Sequence, residues 1–172
     1  YKSEYNRISM THSLLLSPGK ESALKSLNLD MALAYEWSRI SQQKSISLSR
    51  DMAASTSLEE GEHDGMYLPY QYISNVTVDG RPLNLYAKMK ALFAMNTGSM
   101  SHSFSAGAEW KMDKNYGGGQ QYDPARPISP GTPYRPRIYS RIPAMHQLGF
   151  YLQDNITLPV GTSLLSAQLG VR

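Results

Sequence analysis

The chain has 172 residues, enough for one domain of ordinary size with a sizeable core. Hydrophobic residues make up 41% and charged ones 18%, which argues against wholesale disorder. The net charge is only +3 and the basic residues are scattered apart from Arg126, Arg135, Arg137 and Arg141, so no nucleic-acid footprint is present. Cysteine is absent, which excludes a disulfide framework and thiolate metal sites. Twelve tyrosines stand against three phenylalanines, a bias suited to positions with one apolar and one wet side.

No run approaches the roughly 18 apolar residues of a membrane-crossing helix, and no signal peptide is visible. The chain opens at Tyr1 on a polar segment and reads as a piece of something longer. Residues 5–16 form the first predicted strand: Ile8, Met10, Leu14 and Leu16 share one parity with His12, while Arg7, Ser9, Thr11 and Ser13 take the other. Ser17, Pro18 and Gly19 signal a turn. Residues 24–41 give the longest alternation, with Leu27, Leu29, Met31, Leu33, Tyr35 and Trp37 opposed to Asn28, Asp30, Ala32, Ala34, Glu36 and Ser38. Periodicity fades over 45–82, which is expected to be a long loop with a short strand near 73–78. Residues 83–95 and 102–114 alternate again, joined at Asn96, Thr97, Gly98 and Ser99. A second long loop, about 114–145, is rich in proline and holds Gly117, Gly118 and Gly119. The last two strands, 147–158 and 163–172, flank a tight turn at Pro159, Val160, Gly161 and Thr162.

The expected fold is therefore all-β: antiparallel hairpins in a meander, with short turns at one end and long connections at the other. Compact soluble domains seldom carry loops longer than about 12–15 residues. Outer-membrane barrels combine short periplasmic turns, long extracellular loops and strands of about ten residues that alternate apolar-out and polar-in. Part of a transmembrane β-barrel with long extracellular loops is the reading that follows. Arg7, Asp30, Glu36, Lys88, Lys90, Glu109 and Lys111 would then project into a wet lumen. Trp37 and Trp110 lie on the apolar parity toward the long-loop end of their strands, where an aromatic girdle meets the lipid–water interface. A closed membrane barrel needs at least about eight strands, so further strands would lie outside this chain. The alternative is a soluble β-sandwich or β-barrel binding module whose apolar faces make its own core.

Two stretches bear a resemblance to a known family. The run from His102 through Phe104, Gly107, Glu109, Trp110 and Lys111 to Asn115, Tyr116 and Gly117–Gly119 resembles a strand-and-loop pattern of TonB-dependent outer-membrane receptors. The closing Tyr151, Leu152, Gln153, Asp154, Asn155 and Ile156, with Leu164 to Arg172 ending Leu-Gly-Val-Arg, is similar to that family's barrel hairpins. The likeness covers the whole chain in pattern and is specific in the second half. It implies a barrel of about 22 strands with an N-terminal plug, importing a scarce nutrient ligand with energy relayed from the inner membrane. The implied partners are outer-membrane lipid, the remainder of the barrel and its plug, the TonB complex reached through segments absent here, and a surface lipoprotein. The plug and the aromatic residue that typically ends a final barrel strand have no counterpart in this sequence. A porin-like barrel without energised transport is a further, weaker option.

Little in the sequence speaks for catalysis, and no enzyme activity or cofactor is expected. Glu59, Glu60, Glu62, His63 and Asp64 offer oxygen ligands without the spacing of an EF-hand loop. Gly117–Gly119 lacks the Lys-Ser/Thr of a phosphate loop, and loop flexibility is the expectation there. His12, His63, His102 and His146 show no metal-ligand spacing, and no nucleophile elbow occurs. Tyr67, Tyr70 and Tyr72 in the first loop, with Tyr134, Arg135, Arg137 and Tyr139 in the second, could line an external ligand-binding surface. Aromatic faces stack on flat ligands and arginine captures carboxylates or phosphates.

Overall fold

A computed structural model describes residues 1–19, 21–54, 66–131 and 136–172. Among the described residues the chain is all-β, with eight strands, one 3-10 turn at Tyr139–Arg141 and no α-helix. The strands are β1 (Lys2–Leu16), β2 (Leu24–Ser47), β3 (Gln71–Gly80), β4 (Pro82–Thr97), β5 (Met100–Asn115), β6 (Gly119–Tyr122), β7 (Met145–Val160) and β8 (Ser163–Val171). They form one meandering sheet in the order β6-β3-β2-β4-β5-β7-β8, with β1 paired to β2. β6 and β8 end this order and are not paired with each other.

Local chemistry explains the hairpins. Val160 faces Ser163 across the two-residue loop Gly161–Thr162, and Gly98–Ser99 likewise joins β4 to β5. Gly161 and Gly98 have φ of 60° and 62°, and among the described residues only glycines have positive φ. Glycine in the left-handed region followed by a residue at negative φ is the pattern of a type II′ turn, whose twist matches that of paired strands.

The short strand expected near 73–78 is present and longer than expected, and the second expected loop also contains a strand. β3 occupies ten residues of the first loop and β6 four of the second. Their antiparallel register sets Val76 against Tyr122 and Asp79 against Gly119. β3 is diluted by Ser74, Asn75, Thr77 and Gly80, which blunts its hydropathy signal even though its burial alternates from Gln71 to Val76. The acidic run at Glu59, Glu60, Glu62, His63 and Asp64 lies outside the described residues, as do Tyr134 and Arg135.

The chain divides into two compact units. The first comprises Tyr1–Ile8, Tyr35–Leu83 and Lys114–Ala144; the second comprises Ser9–Ala34, Asn84–Asp113 and Met145–Arg172. The first unit has a small core of Ile46, Leu68, Tyr72 and Val76, with Leu48, Met52 and Ala54 packed against it. Burying each such large side chain stabilises by roughly 1.5–3 kcal/mol. The second unit is different: none of its described apolar side chains is buried to that degree. Leu148 and Phe150 remain 69% and 68% exposed. The registers set Trp110 opposite Leu148, Ala108 opposite Phe150, Leu152 opposite Val171 and Leu158 opposite Leu165. One side of that unit is therefore largely apolar, broken on β5 and β7 by His102, His146 and Asp154.

β2 changes sides along its length. From Leu27 to Trp37 the odd positions are apolar. Beyond Trp37 the odd positions are Arg39, Ser41, Gln43 and Ser45, all exposed, and the even position Ile46 is buried opposite Tyr72. The face that carries Asp30 and Glu36 lower down is thus the face that carries the small core higher up.

Candidate functional site

The alternation of β3 turns Tyr72 inward, where its hydroxyl donates to the Pro127 carbonyl at 2.8 Å. Burial raises the hydroxyl pKa above the usual tyrosine value. Tyr72 thereby ties the second loop to the core. Leu48 and Tyr70, Met52 and Leu68, and Ala54 and Met66 are linked by backbone hydrogen bonds, which bring the two flanks of the first loop together. Tyr67 and Tyr70 sit on those flanks and are exposed at 70% and 58%. A hydrogen bond with Asp51 raises the Tyr70 hydroxyl pKa. Of the three tyrosines, two face solvent together and the third is engaged inside.

The second loop is anchored by Asp79, Asn115 and Lys114, an anchoring role that the sequence does not display. Asp79 accepts the Gly118 N–H at 2.9 Å and pairs with Arg81 at 3.3 Å. These contacts hold its carboxyl below the usual range, the Gly118 bond contributing most. Asn115 Oδ1 accepts the backbone N–H groups of both Arg81 and Gly117 at 2.9 Å. Lys114 donates to the carbonyls of Ser140 and Ile142 at the 3-10 turn. Gln120 and Arg137 exchange both backbone hydrogen bonds, at 2.8 and 2.9 Å. The glycines of 117–119 are close-packed rather than loose. A Cβ on Gly117 would stand 2.2 Å from the Asp79 carbonyl, and one on Gly119 only 1.8 Å from that of Arg137. Arg137 is thus fixed by its backbone with an exposed side chain, and Tyr139 is half-buried at the start of the 3-10 turn.

Also in the first unit, an open hollow of about 420 Å³ is bordered by Glu4, Tyr35, Trp37, Arg39, Asp79 and Arg81. Trp37 is 39% exposed, and its ring lies 5.9 Å from that of Tyr35. On the opposite parity, Tyr5 donates to Glu36 at 3.0 Å.

The second unit has a polar side and an apolar side. On the polar side Lys111 pairs with Glu109 at 2.9 Å and lies 5.7 Å from the centre of the Tyr86 ring. Tyr86 donates to Glu109 at 3.5 Å. Tyr151 lays its ring over Gly107, its partner on β5, so closely that a Cβ there would meet it at 2.2 Å. A hollow of about 410 Å³ opens beside them, bordered by Lys88, Glu109, Gly149, Tyr151, Gly170 and Arg172. On the apolar side, His102 Nδ1 is 2.9 Å from Asp154 Oδ2 and its ring stacks on Phe104. Trp110 stacks on His146 at 6.0 Å. Among the described residues no three His, Asp or Glu side chains are grouped so as to hold a metal ion. Among the described residues no helix is long and apolar enough to cross a membrane, which has no bearing on strands. Searches of family models, curated proteins and solved structures return no match for this chain.

Proposed function

We propose that this chain is part of the wall of an outer-membrane β-barrel receptor of the TonB-dependent type, serving uptake of a nutrient ligand. One observation carries the membrane part of the reading: the change of sides in β2 at Trp37. Below it the outward parity is apolar and unpartnered; above it that parity is polar, and the apolar residues lie on the other face beneath the loops. A water-soluble sheet has no reason to reverse at an aromatic residue, whereas a strand leaving hydrocarbon through a headgroup layer does. The lengths agree. Ten residue steps from Leu27 to Trp37 span roughly 33 Å along a strand, and about 23 Å across a bilayer at a tilt near 45°. An outward apolar band of about 25 Å is usual for such barrels.

The receptor part rests on the resemblance of residues 102–119 and 151–172 and on the two loop segments. Tyr67, Tyr70, Arg137 and Tyr139 are the described residues from which we build its external ligand surface. The partners are outer-membrane lipid, the rest of the barrel with its plug, and the TonB complex. Fractionation of the full-length gene product tests the first part: it should appear in the outer membrane and migrate faster on a denaturing gel before boiling than after. Recovery in the soluble periplasm would overturn the reading in favour of a soluble β-module. Uptake that persists after the proton-motive force is collapsed would remove the TonB-dependent part alone.

A further inference from the structure

We propose that the hollow on the polar side of the second unit is a subsite for a small anionic solute, held through its carboxylate or phosphate oxygens. The inference deepens the receptor reading and rests on it for the wet lumen that this side would border.

Charge is the first argument. Lys88 and Arg172 border the hollow, Glu109 is its only carboxylate among the described residues, and Lys111 stands behind Glu109. Glu109 is already engaged by Lys111 and by the Tyr86 hydroxyl. Lys88 and Arg172 feel Glu109 at longer range but form no ion pair within 4 Å among the described residues. Cations that line a concave surface with their counter-charge already spent attract an anion. The lysine ammonium binds oxygen anions as a point charge and the arginine guanidinium as a fork.

Shape is the second argument, and it is independent. Gly149 sits in the interior of β7 opposite Glu109, and nothing lies within 4 Å of where its Cβ would be. Gly170 lies opposite Gln153 on β8. Glycine in a strand interior weakens the strand and often marks the close approach of a ligand. The contrast with Gly107 is instructive, because the Tyr151 ring covers that glycine and accounts for it. Gly149 has no such cover. It leaves a bare stretch of backbone as the floor, with Tyr151 as one wall.

The test uses the full-length protein purified in detergent, titrated calorimetrically with inorganic phosphate and, separately, with succinate. Lys88→Gln should weaken binding about tenfold, the scale of losing one charge-assisted contact. Gly149→Val should abolish it by filling the floor, and it should not disturb folding because the space above is empty. Binding of phosphate alone or of succinate alone supports the subsite and names the oxygen source; binding of both supports recognition by charge. Wild-type protein that binds neither, or binding unaltered in both variants, overturns the proposal. Fractionation separates the two failures: an outer-membrane protein without anion binding loses only this inference, whereas a soluble protein loses the receptor reading first.

Discussion

At the scale of single residues, the second loop depends on glycines because other backbones come too near. Gly119 has φ +81° and would place a Cβ 1.8 Å from the Arg137 carbonyl. Gly119→Ala should therefore cost more than about 2 kcal/mol, since the left-handed conformation alone costs about 1–2 kcal/mol. Gly98→Ala, with open space around it, should cost only that conformational part. Proteolysis within 123–131 should rise in the first variant and not in the second. Tyr72 and Ser74 make a second pair. Tyr72→Phe removes the bond to Pro127 and should cost about 1 kcal/mol in urea unfolding. Ser74 is fully buried and its hydroxyl finds no partner among the described residues, so Ser74→Ala should be neutral or stabilising. Asp79 gives a pH dependence. Its folded pKa is lowered, so its contribution is fully present above the unfolded value near 3.9 and fades as pH falls through the folded value. Protection of the Gly118 amide against exchange should weaken only below about pH 4. In Asp79→Ala, which has no side-chain acceptor, it should already be weak at neutral pH.

At the scale of elements, the strands with strong alternation were legible because period two survives wherever one side is wet. β2, β4, β5, β7 and β8 all carry it. β3 was faint for a physical reason: its buried side holds Tyr72, Ser74, Val76 and Gly80, of which only two are strongly apolar. β6 was invisible because four polar and glycine residues become a strand only by meeting β3, roughly 40 residues earlier in the chain. The anchoring by Asp79, Asn115 and Lys114 was hidden likewise, being made between loops rather than within a motif. Gly117–Gly119 suggested flexibility, since glycine permits both freedom and close packing and only the neighbours decide which. The two sides of β7 support a mutational test. In the barrel reading, Phe150→Arg faces hydrocarbon and should cost about 2–4 kcal/mol when folding is measured in lipid vesicles. Gln153→Arg, on the polar side, should change stability by less than about 0.5 kcal/mol.

At the scale of the whole molecule, the sheet has strand edges it does not close and an apolar side that no described residue covers. Edges and bare apolar faces of this size invite pairing or packing with another chain. The barrel reading supplies both partners, further strands and lipid. The change of sides in β2 has a mechanical consequence as well. Arg39 follows Trp37 on the same parity, so in the barrel reading the strand could not slide toward the short turns without dragging a guanidinium into hydrocarbon. In the barrel reading, the aromatic ring and the arginine behind it would act as a depth stop. Removing two residues between Leu29 and Tyr35 would keep every side chain on its own side but lower the stop by roughly 5 Å. The shortened protein should insert more slowly into vesicles of ordinary thickness, and thinner bilayers should restore the rate.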